Sequence, residues 1–191
     1  MRNTTEVFGF KWWLNWLSIF VGTAIPCSFG WDIYAHAIPQ NPATWLMVLA
    51  LDVLGVALAI SAGNKRPYMQ MGWTLGAVCI VLAIFFGKAH WSWGVIESFS
   101  VLFGAIAVLY WQLCSVKFGI FFQTVAIYVS FIPQLVDFWY HPKPETWWLW
   151  VGSSLATIIT IYCFPKKTFA YVFIPWSTVF INGVVLLFIF R

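Results

Sequence analysis

Long apolar runs alternate with short polar breaks along the whole chain. Seven runs cover roughly residues 11–34, 44–62, 67–87, 91–113, 117–139, 146–164 and 168–190. Each is close to the ~20 residues a helix needs to cross a ~30 Å hydrocarbon layer. None alternates with period two, so helices satisfy the backbone in lipid where a closed barrel would need alternation. The breaks carry turn residues: Asn41-Pro42, Gly63-Asn64, Gly87-Lys88, Pro142-Lys143-Pro144 and Pro165-Lys166. The pattern predicts an all-α membrane protein, a single membrane domain over 1–191 with seven transmembrane helices. The short lead over 1–10 and the first run do not read as a secretory signal, because the run is too long for an h-region and lacks a small-residue exit. The expectation is an uncleaved first helix.

Composition strengthens this picture. Hydrophobic residues make up 62% of the chain and charged residues 8%, whereas a soluble domain usually carries ~25% charged residues. Many of the 14 tryptophans sit at the ends of the runs, as expected of rings at the headgroup level. A net charge of +4 comes from loop residues and indicates orientation, not nucleic acid. Arg2, Lys11, Lys65, Arg66, Lys117, Lys166 and Lys167 fall on one side; Lys88, Lys143 and Arg191 fall on the other. The excess predicts a cytoplasmic N-terminus and an outer C-terminus, in the inner membrane if the source is bacterial. Cys27, Cys79, Cys114 and Cys163 are isolated within or beside apolar runs, without metal-ligand or CxxC spacing. No phosphate loop, GxSxG, HExxH or paired-carboxylate motif is present, so neither an enzyme nor a cofactor is expected.

The runs also repeat. At an offset of 102 positions and without a gap, Ser28, Phe29, Pro42, Thr44, Trp45 and Lys65 meet Ser130, Phe131, Pro144, Thr146, Trp147 and Lys167. Shared spacing of this kind marks a duplicated unit. Three helices over 11–88 match three over 117–190, and the segment at 91–114 has no counterpart. Three crossings reverse direction, so the inserted helix gives both copies the same orientation. Parallel repeats of this kind meet near the bilayer midplane, where carriers hold substrate.

The Phe131-Ile132-Pro133-Gln134 sequence, the following Lys143-Pro144-Glu145-Thr146-Trp147 turn and the 3+1+3 plan resemble the PQ-loop superfamily. That superfamily includes the SWEET and SemiSWEET sugar carriers, and the PnuC-like vitamin-precursor transporters are similar. The chain is close to bacterial seven-helix proteins of unassigned function that share the P-x-T-W turn. The resemblance covers about 11–190 and implies alternating access, helix-bending prolines in gating and a ligand-binding Asn on the last helix. The first repeat departs from it: in register, Trp31-Asp32 replaces Pro133-Gln134, and Ile38-Pro39-Gln40 falls later.

Polar groups inside apolar runs narrow the candidates, because burying them in lipid is costly. Asp52 lies well inside the second run, at the position matched by Ser154 in the sixth. It either contacts a substrate or tethers helices. Trp150, Ser154 and Thr157 share one helical face through i, i+4 and i+7 spacing, a ring and two hydroxyls suited to a ring-shaped polar ligand. The alternative for Trp150 is an interfacial belt. Pro175, Thr178 and Asn182 share a face of the seventh run, and Gln123 and Gln134 of the fifth could line the same hollow. Asn182 is matched by Ile80, which removes a symmetrical Asn pair. Pro26 and Pro133 are candidate hinges, since an internal proline removes a backbone hydrogen bond and kinks the helix. Glu97 reads as a tether, and His36, His90 and His141 as loop residues.

The expected function is transport of a small polar solute, such as a sugar or vitamin precursor, by a facilitator or an ion-coupled carrier. A substrate-binding subunit of a larger uptake complex and a non-transporting scaffold are the alternatives. A retinal photoreceptor would need a Schiff-base lysine inside a helix, and the seventh run has none. The lipid bilayer is the certain partner, and a homo-oligomer is compatible with the sequence.

Overall fold

The computed structural model describes residues 4–36, 40–64, 67–87, 90–142, 146–164 and 168–191. These form seven helices: α1 (Thr4–Ala35), α2 (Pro42–Ser61), α3 (Tyr68–Phe86), α4 (Val95–Leu113), α5 (Val116–Tyr140), α6 (Trp147–Cys163) and α7 (Phe169–Ile189). No strand occurs among the described residues. Arg2, Lys65, Arg66, Lys88, Lys143, Lys166 and Lys167 lie outside them, as do Pro39, Pro144 and Glu145. The orientation inferred from basic residues therefore falls mostly there.

Five helices are long and apolar enough to cross a membrane: α2, α3, α4, α5 and Tyr171–Ile189 of α7. At 17 residues, α6 rises only ~25 Å at 1.5 Å per residue, short of a full ~30 Å layer. Polar Asn15, Ser18, Thr23 and Ser28, together with Pro26, dilute the 32-residue α1. Sequence predicts seven spans; length and apolarity support five of the seven helices directly.

The helix ends follow local chemistry. Asn41 caps α2, its side chain accepting from the Ala43 N–H at 3.1 Å, and Pro42 occupies the first turn, where its missing donor costs nothing. Gly63 leaves α2 at φ +89°, a conformation glycine adopts without a Cβ penalty. The α4 helix begins at Val95, later than its apolar start at 91, because Gly94 is the N-cap and its N–H donates to the Glu97 carboxylate in the first turn at 3.0 Å.

Packing groups the helices. α3 packs on both α1 and α2, and α7 packs on both α5 and α6. Across these groups α1 meets α6 and α2 meets α5, while α4 lies chiefly on α5. Without a hydrophobic force between helices in lipid, close packing at small residues holds such contacts. Gly72 and Gly76 of α3 do this against Ile19, Thr23 and Pro26 of α1, and the Thr23 hydroxyl donates to the Gly72 carbonyl at 3.3 Å. The outward surface is apolar and rich in exposed aromatics: Trp12, Trp13 and Trp16 near one end of α1, Trp31 and Tyr34 near the other. This is the surface of an integral membrane protein.

Candidate functional site

α2 turns one stripe inward. Met47, Val48, Leu51, Gly55, Leu58 and Ala59 are buried, whereas Val53 and Ile60 are exposed on the opposite side. Asp52 sits at the flank of the buried stripe, i−3 from Gly55, and is half-buried. No hydrogen bond or ion pair joins it to another described residue.

Gln123 of α5 crosses to the same stretch of α2. Its Nε2 donates to the Leu51 carbonyl at 3.0 Å, and a Cβ on Gly55 would meet that nitrogen at 3.0 Å. The glycine thus makes room for the amide. Gln123 is 1% exposed and its Oε1 has no partner among the described residues. Leaving such an acceptor unmade costs about 1–3 kcal/mol, so one end of this side chain ties α2 to α5 while the other is unspent.

Asn182 of α7, 3% exposed, donates through Nδ2 to Ser154 Oγ of α6 at 3.2 Å. Two of the sequence candidates therefore meet directly. Thr157 is fully buried and donates to its own helix at the Ser153 carbonyl, 2.7 Å. Thr178 likewise donates to the Ile174 carbonyl at 3.0 Å. Both hydroxyls are satisfied locally.

Trp150 meets Phe138 edge-on, centroids 5.7 Å apart, beside the buried cluster of Phe138, Val185 and Ile189. Its indole N–H is buried without an acceptor among the described residues. The Trp150–Ser154–Thr157 face is therefore directed into the α5–α7 packing; it is not the open shelf that its spacing suggests. Gln134 is half-buried and Pro133 is exposed on the outer side of α5. Pro26 is half-buried and its ring fills the notch left by Gly76. Open apolar grooves among the described residues include one lined by Ile132, Leu135, Val136, Trp139, Tyr140 and Phe188 and one lined by Trp93, Gly94, Val95, Ser98, Phe99 and Leu102. No candidate residue lines either groove.

Sequence reasoning missed the polar contact between α1 and α6. The Ser18 and Thr160 hydroxyls share a hydrogen bond, and Ser18 also lies 3.4 Å from the Ala156 carbonyl. Both residues are buried. Thr160 follows Thr157 at i+3, a spacing that could have flagged it, but nothing along the chain links it to Ser18. Glu97 has the geometry of a tether. Its Oε1 accepts from Thr44 Oγ1 at 2.9 Å and Asn41 Nδ2 at 3.2 Å, and its Oε2 accepts from the Gly94 N–H at 3.0 Å. It thereby ties the N-terminus of α4 to that of α2.

These features define a helical membrane protein with a few buried polar contacts at helix interfaces. Compared with known proteins, the chain matches no family model, no curated protein and no solved structure.

Proposed function

We propose that this chain is a PQ-loop-type, SWEET-like membrane carrier that moves a small polar solute, such as a sugar or vitamin precursor, by alternating access between two like-oriented three-helix bundles. The observation that carries the reading is the helix pairing. α1 and α2 both pack on α3 as α5 and α6 both pack on α7, and the cross-contacts α1–α6 and α2–α5 exchange under a twofold relation. Details at the offset of 102 agree with it. Ser28 donates to the Ile25 carbonyl at 2.7 Å and Ser130 to the Ile127 carbonyl at 2.6 Å. Ser18 and Thr160, joined across α1–α6, correspond to Ile120 and Leu58, which share a buried cluster across α2–α5.

On this reading α4 joins the two bundles. Asp52 and Ser154 lie at the same depth of α2 and α6, and Asp52 with the Ser154–Asn182 pair forms the polar level at which solute is held. Gln123 supports that level from α5. A facilitator needs nothing further; a coupled carrier would use Asp52 for the ion.

Purified protein in vesicles tests the proposal. Thermal-shift screening against sugars, nucleosides, vitamins and amino acids identifies a ligand, since binding to the folded state raises the melting temperature. Uptake of that ligand should then be lost in Asp52→Asn and in Asn182→Ala while both variants stay folded. Full flux with both changes combined refutes the site. The local satisfaction of Thr157 and Thr178 favours a second reading, a non-transporting membrane scaffold, for which no ligand in the screen shifts the melting temperature.

A further inference from the structure

Trp139, near the C-terminal end of α5, carries a cation on its face. The Arg191 guanidinium lies 3.7 Å from the ring centroid, and Phe188 of α7 meets the same ring edge-on at 5.0 Å. Arg191 is exposed just past the end of α7. Stacking of this kind uses the flat side of a guanidinium and leaves its N–H edge for a hydrogen-bond acceptor. Tryptophan and tyrosine favour the membrane–water interface, so Trp139, Tyr140 and Arg191 mark a headgroup level.

An open trough runs from this level toward the hydrocarbon. It is lined on α5 by Tyr140, Trp139, Val136, Leu135 and Ile132, with Phe188 as the α7 wall. Helical spacing puts the α5 residues on one face. The stretch from 132 to 140 spans ~12 Å at 1.5 Å per residue, most of the ~15 Å that one leaflet contributes to a ~30 Å hydrocarbon layer. The trough holds about 410 Å³, within the ~300–1,000 Å³ of ligand clefts. Leu135 and Phe188 pack on the buried cluster of Phe138, Val185 and Ile189 and form its floor. Ile132, Val136, Trp139 and Tyr140 are exposed and open it to lipid.

We propose that the α5–α7 trough is a binding site for an anionic phospholipid. One acyl chain lies along α5 from Tyr140 to Ile132, and Arg191 donates charge-assisted hydrogen bonds to the headgroup phosphate. A phosphate presents the pair of oxygens that a guanidinium fork meets best. A basic residue near the surface also favours an anionic lipid electrostatically. A zwitterionic headgroup brings its own cation beside the arginine; a phosphatidylglycerol headgroup does not. The site is separate from Asp52, Ser154 and Asn182, so it holds whether or not the chain is a carrier.

The test mixes the full-length protein in detergent with equal amounts of dioleoylphosphatidylglycerol and dioleoylphosphatidylcholine and counts retained lipid by native mass spectrometry. Phosphatidylglycerol should be retained about fivefold over phosphatidylcholine, the selectivity that one interfacial arginine provides. Arg191→Gln should bring the two lipids to parity, whereas Lys117→Gln, which removes the same charge at the start of α5, should keep the ratio. Val136→Trp keeps Arg191 but fills the trough, and should also lower the ratio. Phosphatidylglycerol with a photoreactive diazirine in its acyl chain should label residues between 132 and 140. Excess glycerol phosphate should not displace the lipid, because it has no chain for the trough. Parity in the parent protein, an unchanged ratio in Arg191→Gln or Val136→Trp, or an equal fall in Lys117→Gln would overturn the proposal. Displacement by glycerol phosphate, or label confined to other helices, would do so equally.

Discussion

Gly76→Ala should destabilise the protein although alanine is the better helix former. A Cβ placed on Gly76 would lie 2.5 Å from Pro26 Cβ and 2.6 Å from Pro26 Cγ, whereas carbon atoms rest at ~3.5–4.0 Å. About 1 Å must be made up, and a proline ring cannot rotate aside as a flexible side chain would. Overpacking of this kind costs ~1–3 kcal/mol, here toward the upper end, against a helix-propensity gain of ~1 kcal/mol. The net expectation is a loss of ~1–2 kcal/mol. Gly183 of α7 is the internal control. A Cβ there meets nothing within 4 Å, so Gly183→Ala should stabilise by ~0.5–1 kcal/mol. Reversible unfolding in mixed micelles titrated with dodecyl sulfate, followed by circular dichroism, measures both. Adding Pro26→Ala removes the ring, so a double-mutant cycle should return a coupling of ~2 kcal/mol. The reasoning is refuted if Gly76→Ala is as stable as the parent, or if the cycle closes to zero.

Other contacts give separate expectations under the same unfolding assay. Glu97→Ala leaves the Thr44 hydroxyl and the Gly94 N–H without their acceptor, while Asn41 Nδ2 keeps the Ser92 carbonyl, and should cost ~2 kcal/mol or more, whereas Glu97→Gln keeps an acceptor and should cost clearly less; equal losses would mean that the carboxylate is no tether. Ser18→Ala or Thr160→Val alone removes the bond between the two hydroxyls but leaves the survivor its contact with the Ala156 carbonyl, so each should cost ~0.5–1.5 kcal/mol, while the double change should cost less than the two singles summed. Strict additivity would show that the two hydroxyls do not act together. Asp52→Asn should abolish solute flux in vesicles with little change in the unfolding midpoint, Asn182→Ala should abolish it at a stability cost of ~1 kcal/mol or more from the lost Ser154 bond, and retained flux in the double variant removes the proposed solute level.

The helices were legible in the sequence because lipid permits few alternatives. All seven runs ended within a residue of the helices they predicted; at the starts, α4 began later than its run, after a cap that apolar counting does not register. At the other extreme, α1 begins at Thr4, because its polar lead is helical although it would not dissolve in lipid. Partners were much less legible. Spacing put Trp150, Ser154 and Thr157 on one face correctly, but it could not tell that the face is directed into neighbouring helices. Only one of those three reaches across to another candidate, Ser154 to Asn182. Thr157 and Thr178 turn back to carbonyls of their own helices, as hydroxyls in apolar surroundings readily do. The Ser18–Thr160 contact joins residues 142 positions apart, and two small hydroxyls in separate apolar runs carry no mark of each other.

The polar residues take on meaning when the two halves are compared at equal depth. On the proposed duplication, Ser154 and Asn182 correspond to Asp52 and Ile80. In one half the pair closes in a hydrogen bond. In the other, the position opposite the acid belongs to an isoleucine, 3% exposed and packed with Ile33 and Ile84. Substitution of a bonding partner by an aliphatic group leaves Asp52 without the neighbour its counterpart has, and a carboxyl group at this depth is costly unless something meets it. A purely structural role would have favoured the neutral hydroxyl on both sides, since Ser154 already makes the interhelical contact at lower cost. If the chain is the carrier proposed above, an acid opposite an isoleucine is where a solute or ion contact would fall, and the first three helices would carry that contact.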